Sequence, residues 1–149
     1  MPTGANVVAV ARSQLGIPFH HGQALQDVAC DCIGLVLIVA EALGLPEAAA
    51  FKQDVRFRGY GRTPMPAPLF AACADYLDPI PVHSATLGDI LLFYFVRDPQ
   101  HDPMHFGILS RESPRYVVHA YERVGKVVEN GADATFWRAR AAFRLRGVT

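Results

Sequence analysis

Three of the 149 residues combine types and spacings that could carry covalent chemistry: Cys32, His105 and His119. Cys32 opens the most apolar run in the chain, Ile33 to Leu43, and Gly44 with Pro46 closes that run as a helix C-terminus closes. A helix that is apolar on nearly every face belongs inside a domain, so its first turn is a rigid base for whatever chemistry it presents. Unpaired N–H groups and the positive end of the helix dipole favour a thiolate there, which makes Cys32 the candidate nucleophile with an expected low pKa. His105 and His119 lie in two alternating runs, Met104 to Leu109 and Arg115 to Tyr121, joined by a polar turn around Arg111, Glu112 and Ser113. If Ser110 faces Pro114, His105 stands opposite His119 with Cβ atoms ~5 Å apart on one face, and Gly107 beside them leaves open space. A thiol, an imidazole that takes its proton and a second group that orients the imidazole make a nucleophilic triad.

Other arrangements use the same residues. Cys32 could be inert filler, the histidines could be a core pair, or both could join Cys30 in a zinc site. The single residue between Cys30 and Cys32 falls short of the usual ligand spacing of about two to four, so neither a metal nor a cofactor is expected. His20, His21, His83 and His101 lie among Pro, Gly and charged residues, where solvated surface is the default. Cys73, among small apolar residues, reads as core.

The elements that must hold the triad follow from the pattern on either side of it. A helix is expected over 7–15 after a cap at Asn6, a long loop over 47–68, and a short helix over Pro68 to Leu77 with Pro in its first turn. Asp89 to Val96 reads as a central strand, Arg97 to Pro103 as a polar loop, and Lys126 to Glu129 and Ala142 to Leu145 as further strands, with Asn130-Gly131 a turn and Phe136-Trp137 in a connection. Helices first and antiparallel strands afterwards predict one α+β domain over 1–149, its helices on one face of the sheet. Fourteen basic and fourteen acidic residues cancel, so composition offers no field for nucleic acid or anionic lipid. Arg138, Arg140, Arg144 and Arg146 are expected to line a solvated face. The apolar run from Ile33 to Leu45 is shorter than the ~20 residues a membrane span needs, and the Met-Pro-Thr-Gly start lacks the pattern of a signal peptide; a product made in the cytoplasm and not held in a membrane is expected.

Taken together, Asp31-Cys32-Ile33-Gly34-Leu35, Gly88-Asp89-Ile90-Leu91-Leu92-Phe93, His105-Phe106-Gly107-Ile108 and Val118-His119-Ala120 resemble the successive blocks of the NlpC and p-sixty cell-wall peptidases, in order and in spacing. The resemblance implies a papain-like fold in which Cys32 attacks an amide carbonyl, His105 is the base and His119 orients it. It also implies a peptidoglycan stem peptide as substrate, cut between D-glutamate and a diamino acid. Asp31, with the positions of Phe19 and Ile33, would recognise the amino end of the peptide; family members commonly carry Tyr and Ser where this chain has Phe19 and Ile33, so two hydroxyls are missing. The stretch with Trp137, Arg140 and Phe143-Arg144 is most similar to the phage and gene-transfer-agent tail peptidases, which implies tail or baseplate proteins as partners, a place in a virion or tail-like particle, and action in the periplasm. A structural tail component that keeps the fold without turnover is the alternative.

If the triad reading holds, strong chelators leave the melting temperature and any activity of the chain unchanged. One tightly bound zinc per chain, found by elemental analysis, would replace the triad with a metal site.

Overall fold

The computed structural model describes residues 1–54, 56, 66–95, 105–132 and 137–149. Its first helix, α1 (Gly4–Ser13), starts earlier than the periodicity suggests: the cap is Thr3, not Asn6. Thr3 Oγ1 accepts from the Asn6 N–H and Asn6 Oδ1 accepts from the Thr3 N–H at 2.8 Å, so Asn6 is the inner half of a capping box. Two short strands, β1 (Ala24–Leu25) and β2 (Ala29–Cys30), form a small hairpin just before α2 (Cys32–Ala42). Every residue of α2 from Ile33 to Ala40 is buried, as the unbroken apolar run requires. The stretch expected as one long loop contains α3 (Ala48–Gln53) and the start of α4 (Pro66–Tyr76); residues 55 and 57–65 lie outside the described residues, as does the polar loop over 97–103.

The second half of the chain supplies β3 (Leu77–Ile80), a 3-10 turn at Val82–Ser84, β4 (Ile90–Phe95), β5 (His105–Glu112), β6 (Arg115–Tyr121), β7 (Lys126–Gly131) and β8 (Trp137–Leu145). These strands form one antiparallel sheet in the order β3-β8-β4-β5-β6-β7. Asn130-Gly131 continues β7 rather than turning, and Trp137 opens β8 rather than lying in a connection. Helices α1, α2, α3 and α4 all contribute to one core, built on Ile90, Leu92, Phe106, Ile108, Val118, Ala120 and Phe143 from one sheet face. The alternate residues Leu91, Phe93, Leu109, Val117 and Ala142 form a smaller cluster on the other face. The domain is therefore α+β with its helices on one side of the sheet, as the order of elements predicts.

Two of the arginines expected on a solvated face act as clamps. Arg144 grips the buried Asp89 through Nε and Nη2, both at 2.7 Å, while the same carboxylate accepts from the Thr86 N–H at 2.7 Å. Arg146 reaches Glu47 at 2.8 Å and Asp78 at 3.0 Å, so it ties the C-terminal end of the sheet to the entry of α3.

The first turn of α2 packs so closely on the hairpin before it that only glycine fits at position 34: a Cβ there would overlap the backbone carbonyl of Gln23. A carbonyl in a hairpin cannot swing aside as a side chain would. Gly34→Ala should therefore cost about 3 kcal/mol and lower Tm by roughly 6–12 °C. A melting temperature within 2 °C of the parent, measured by scanning calorimetry, would show that the hairpin yields.

Candidate active site

Asp31 caps α2, and both of its oxygens are engaged. Oδ1 accepts from the Gly34 N–H at 2.7 Å and Oδ2 from the Gly22 N–H at 2.8 Å, so one carboxylate pins the helix start to the loop ahead of it. That loop is itself held by the sheet edge. Gly16 donates to Val127 O at 2.9 Å, Val127 to Ile17 O at 3.0 Å, and Phe19 to Gly125 O at 2.8 Å, while the Cys30 N–H donates to Pro18 O and the His20 N–H to Cys30 O. Residues 16–20 thus stitch β7 to β2 and carry the sheet's hydrogen bonding to within two residues of Cys32.

Cys32 is the first residue of α2 and is partly exposed, whereas Cys30 and Cys73 are fully buried. Its sulfur is met by the backbone N–H groups of Phe106 and Ile33, and Phe106 adjoins His105. The expected low pKa is reversed. Burial, with the Asp31 charge added, pushes the Cys32 thiol up to about 12 against the pull of those two N–H groups. Cys30 and Cys73 are likewise pushed up to about 12, chiefly by burial. At rest the site holds a thiol.

His105 opens β5 and His119 lies in β6, in contact through Nε2 of His105 and Nδ1 of His119 at 2.7 Å. They do not stand opposite each other. Ile108 pairs with Val118 and Leu109 with Val117, two residues out of the expected register, because the strands are joined through Ser113 and Pro114 and a bulge interrupts β5 between Leu109 and Arg111. The histidines are diagonal neighbours, and a two-residue slip keeps them on one face. Gly107 does not open a gap: a Cβ there would sit 3.0 Å from Val117 Cβ and 3.2 Å from Phe93 Cε2. Burial pushes the His105 imidazole well below its ordinary value, with the neighbouring His119 adding to the shift. His119 is lowered by burial and partly restored by its bond to Asn130.

Two contributors escaped the sequence reading. Asn130 Oδ1 lies 2.7 Å from His119 Nε2, and the Tyr121 ring stacks on His119 at 5.2 Å between centroids. Asn130 was hidden by the turn preference of Asn-Gly; the alternation of β7 would have placed it on the histidine face. Of the residues given to substrate recognition, Asp31 and Ile33 line a cavity of about 290 Å³ with Gly22, Gln23, Leu37 and Lys52. Phe19 packs against the main core, bridged to Cys30. Among the described residues no group of three or more His, Cys, Asp or Glu is placed to hold a metal ion.

No family model and no curated protein sequence matches the chain. Solved structures do match. NlpC1 from Trichomonas vaginalis superposes with a TM-score of 0.68 at 17% identity over 95% of this chain and 44% of its own. An N-acetylmuramoyl-L-alanine amidase from Bacteroides uniformis gives 0.65 at 16% identity over 96% of this chain and 98% of its own. The NlpC/p60 domain of the peptidoglycan hydrolase SagA gives 0.58 at 20% identity over 96% and 99%. The chain spans less than half the length of the Trichomonas proteins it matches. At these identities the likeness is one of fold: the chain has the α+β, papain-like architecture of the NlpC/P60 structures.

Proposed function

We propose that this chain is a cysteine peptidase that hydrolyses an amide bond in peptidoglycan stem peptides, between D-glutamate and a diamino acid. The observation that carries the reading is the His105–His119 contact at 2.7 Å, on a strand whose Phe106 N–H, next to His105, meets the Cys32 sulfur, in a fold shared with cell-wall hydrolases. His105, neutral at rest, takes the thiol proton as Cys32 Sγ attacks the amide carbonyl. It gives that proton to the departing amine, which leaves a thioester on Cys32. Water, deprotonated by His105, then attacks the thioester and returns the thiol and a free carboxylate. His119 holds the His105 ring and spreads its transient charge.

We further propose delivery by a phage-tail-like particle into the periplasm, with tail or baseplate proteins as partners, on the sequence resemblance of Trp137, Arg140 and Phe143-Arg144 to tail peptidases alone. The cavity lined by Asp31 and Ile33, the residues on either side of Cys32 in the chain, supports binding of the peptide's amino end there. Phe19 and Ile33 have no hydroxyl to offer, which weakens the case that the site demands a free N-terminal L-alanine.

Digestion of purified sacculi, with mass analysis of the released muropeptides, tests the reaction. The parent should release fragments cut at the D-glutamyl bond, and Cys32→Ala none; release by neither would favour the non-catalytic structural tail component, and equal release by both would remove Cys32 as the nucleophile. His105→Ala should abolish turnover, while His119→Asn or His119→Gln, which still accept from the base, should keep a measurable part, and His119→Ala should fall between. His119 is 1% exposed, so it is core as well as site and its truncation to Ala should also cost about 2 kcal/mol of stability. Because a base must be unprotonated to act and the pKa of His105 is lowered, the acid limb of kcat/KM should fall below pH 6.5.

Thiol labelling gives a separate check. Cys32 should alkylate before Cys30 and Cys73 because it alone is partly exposed, and its rate should climb about tenfold per pH unit through the alkaline range as the thiolate forms. A rate that levels off near neutral pH, by peptide mass mapping, would mean a resting thiolate.

A further inference from the structure

The histidine pair continues one strand further. Asn130 pairs with Val117 and His119 with Val128, so Asn130 and His119 are diagonal neighbours across β6 and β7, just as His105 and His119 are across β5 and β6. Three side chains thereby form one hydrogen-bonded row over three strands, 2.7 Å at each step. The row has a direction only if one end fixes it. A neutral imidazole carries one hydrogen on either nitrogen, so two neutral rings in contact can be ordered either way. In one order His105 donates from Nε2 and keeps a lone pair on Nδ1. In the other it accepts at Nε2, carries its hydrogen on Nδ1 and cannot act as a base from that nitrogen.

We propose that Asn130 is a positioning residue that sets this order: its amide oxygen fixes the hydrogen of His119 on Nε2, which makes His119 Nδ1 an acceptor, His105 Nε2 a donor and His105 Nδ1 the basic nitrogen. An amide oxygen only accepts, so the 2.7 Å contact requires a hydrogen on His119 Nε2. Burial disfavours the charged form of both rings, and with it the second hydrogen that would make the order irrelevant. His105, 8% exposed, and His119, 1% exposed, are poorly placed to have water make the choice instead. Asn130 is itself exposed, so its amide nitrogen can be solvated while its oxygen faces the ring. The proposal rests on the peptidase reading for its catalytic meaning, but the tautomers can be read without any turnover.

The test uses the full chain labelled with ¹⁵N-histidine at a pH where both rings are neutral. Long-range ¹H–¹⁵N correlation distinguishes an Nε2–H ring from an Nδ1–H ring. Both His105 and His119 should be Nε2–H in the parent. Asn130→Ala should shift both rings toward Nδ1–H and lower kcat on muropeptide about ten- to a hundredfold, with KM and melting temperature little changed. Asn130→Asp, which still only accepts, should keep Nε2–H on both rings and recover most of kcat. An Nδ1–H ring at either position in the parent, or Asn130→Ala with both tautomers unchanged, would overturn the proposal. Expected tautomers throughout in a parent that releases no muropeptide would uphold the ordering by Asn130 and remove the peptidase reading.

Discussion

The Asp31 carboxylate is the interaction on which the site depends, because one side chain joins the first turn of α2 to the loop ahead of the hairpin. With Oδ1 on the Gly34 N–H and Oδ2 on the Gly22 N–H, it fixes where α2 begins and how the loop before it lies, and Cys32 is the next residue. An N-cap of this kind is worth about 1 kcal/mol to a helix, but its geometric effect is larger than its energy. Asp31 is 3% exposed, so its oxygens have little water to fall back on and the two N–H groups are held in return. The negative charge has a cost to the chemistry: it raises the Cys32 thiol further.

That cost explains the division of labour. A helix N-terminus and two N–H donors stabilise a thiolate, yet taking the sulfur out of water outweighs them, and the imidazoles are themselves pushed toward neutrality by burial. A neutral thiol and two neutral imidazoles are the resting arrangement that follows. On the proposed peptidase reading, charge separation would be confined to the moment of attack, where the polar side chains behind His105 could respond to it. The two imidazoles are tolerated in a buried place because each bonds to a polar neighbour, and an unpaired ring there would be destabilising.

Around this corner the fold is braced by ion pairs that use the ends of the sheet. Arg144 and Asp89 make a two-pronged contact across β8 and the entry of β4, and Asp89 is 2% exposed, so the pair stands in place of water for that carboxylate. Gly88 just before it has φ +85°, where a side chain would be strained, and its Cβ would run into Gly4 of α1. The Gly88-Asp89 pair therefore brings together α1, β4 and β8.

Much of this was legible in the chain itself. The buried helix of α2 follows from an apolar run bounded by Gly44 and Pro46, and the placement of Cys32 at its first turn follows from the helix start; both depend on local spacing, which sequence displays directly. The pairing of β5 with β6 was also legible, and so was the shared face of His105 and His119, because a slip by two preserves the face. The register itself was not, since it turns on a bulge and on a turn at Ser113 and Pro114 that periodicity does not reveal. Asn130 belonged to the row only once β7 was paired, and until then its Asn-Gly dipeptide read as a turn. The direction of the thiol's pKa shift was decided chiefly by tertiary structure: the helix end that favours a thiolate and the Asp31 charge that opposes it are local, whereas burial, the largest cause, comes only with the folded core.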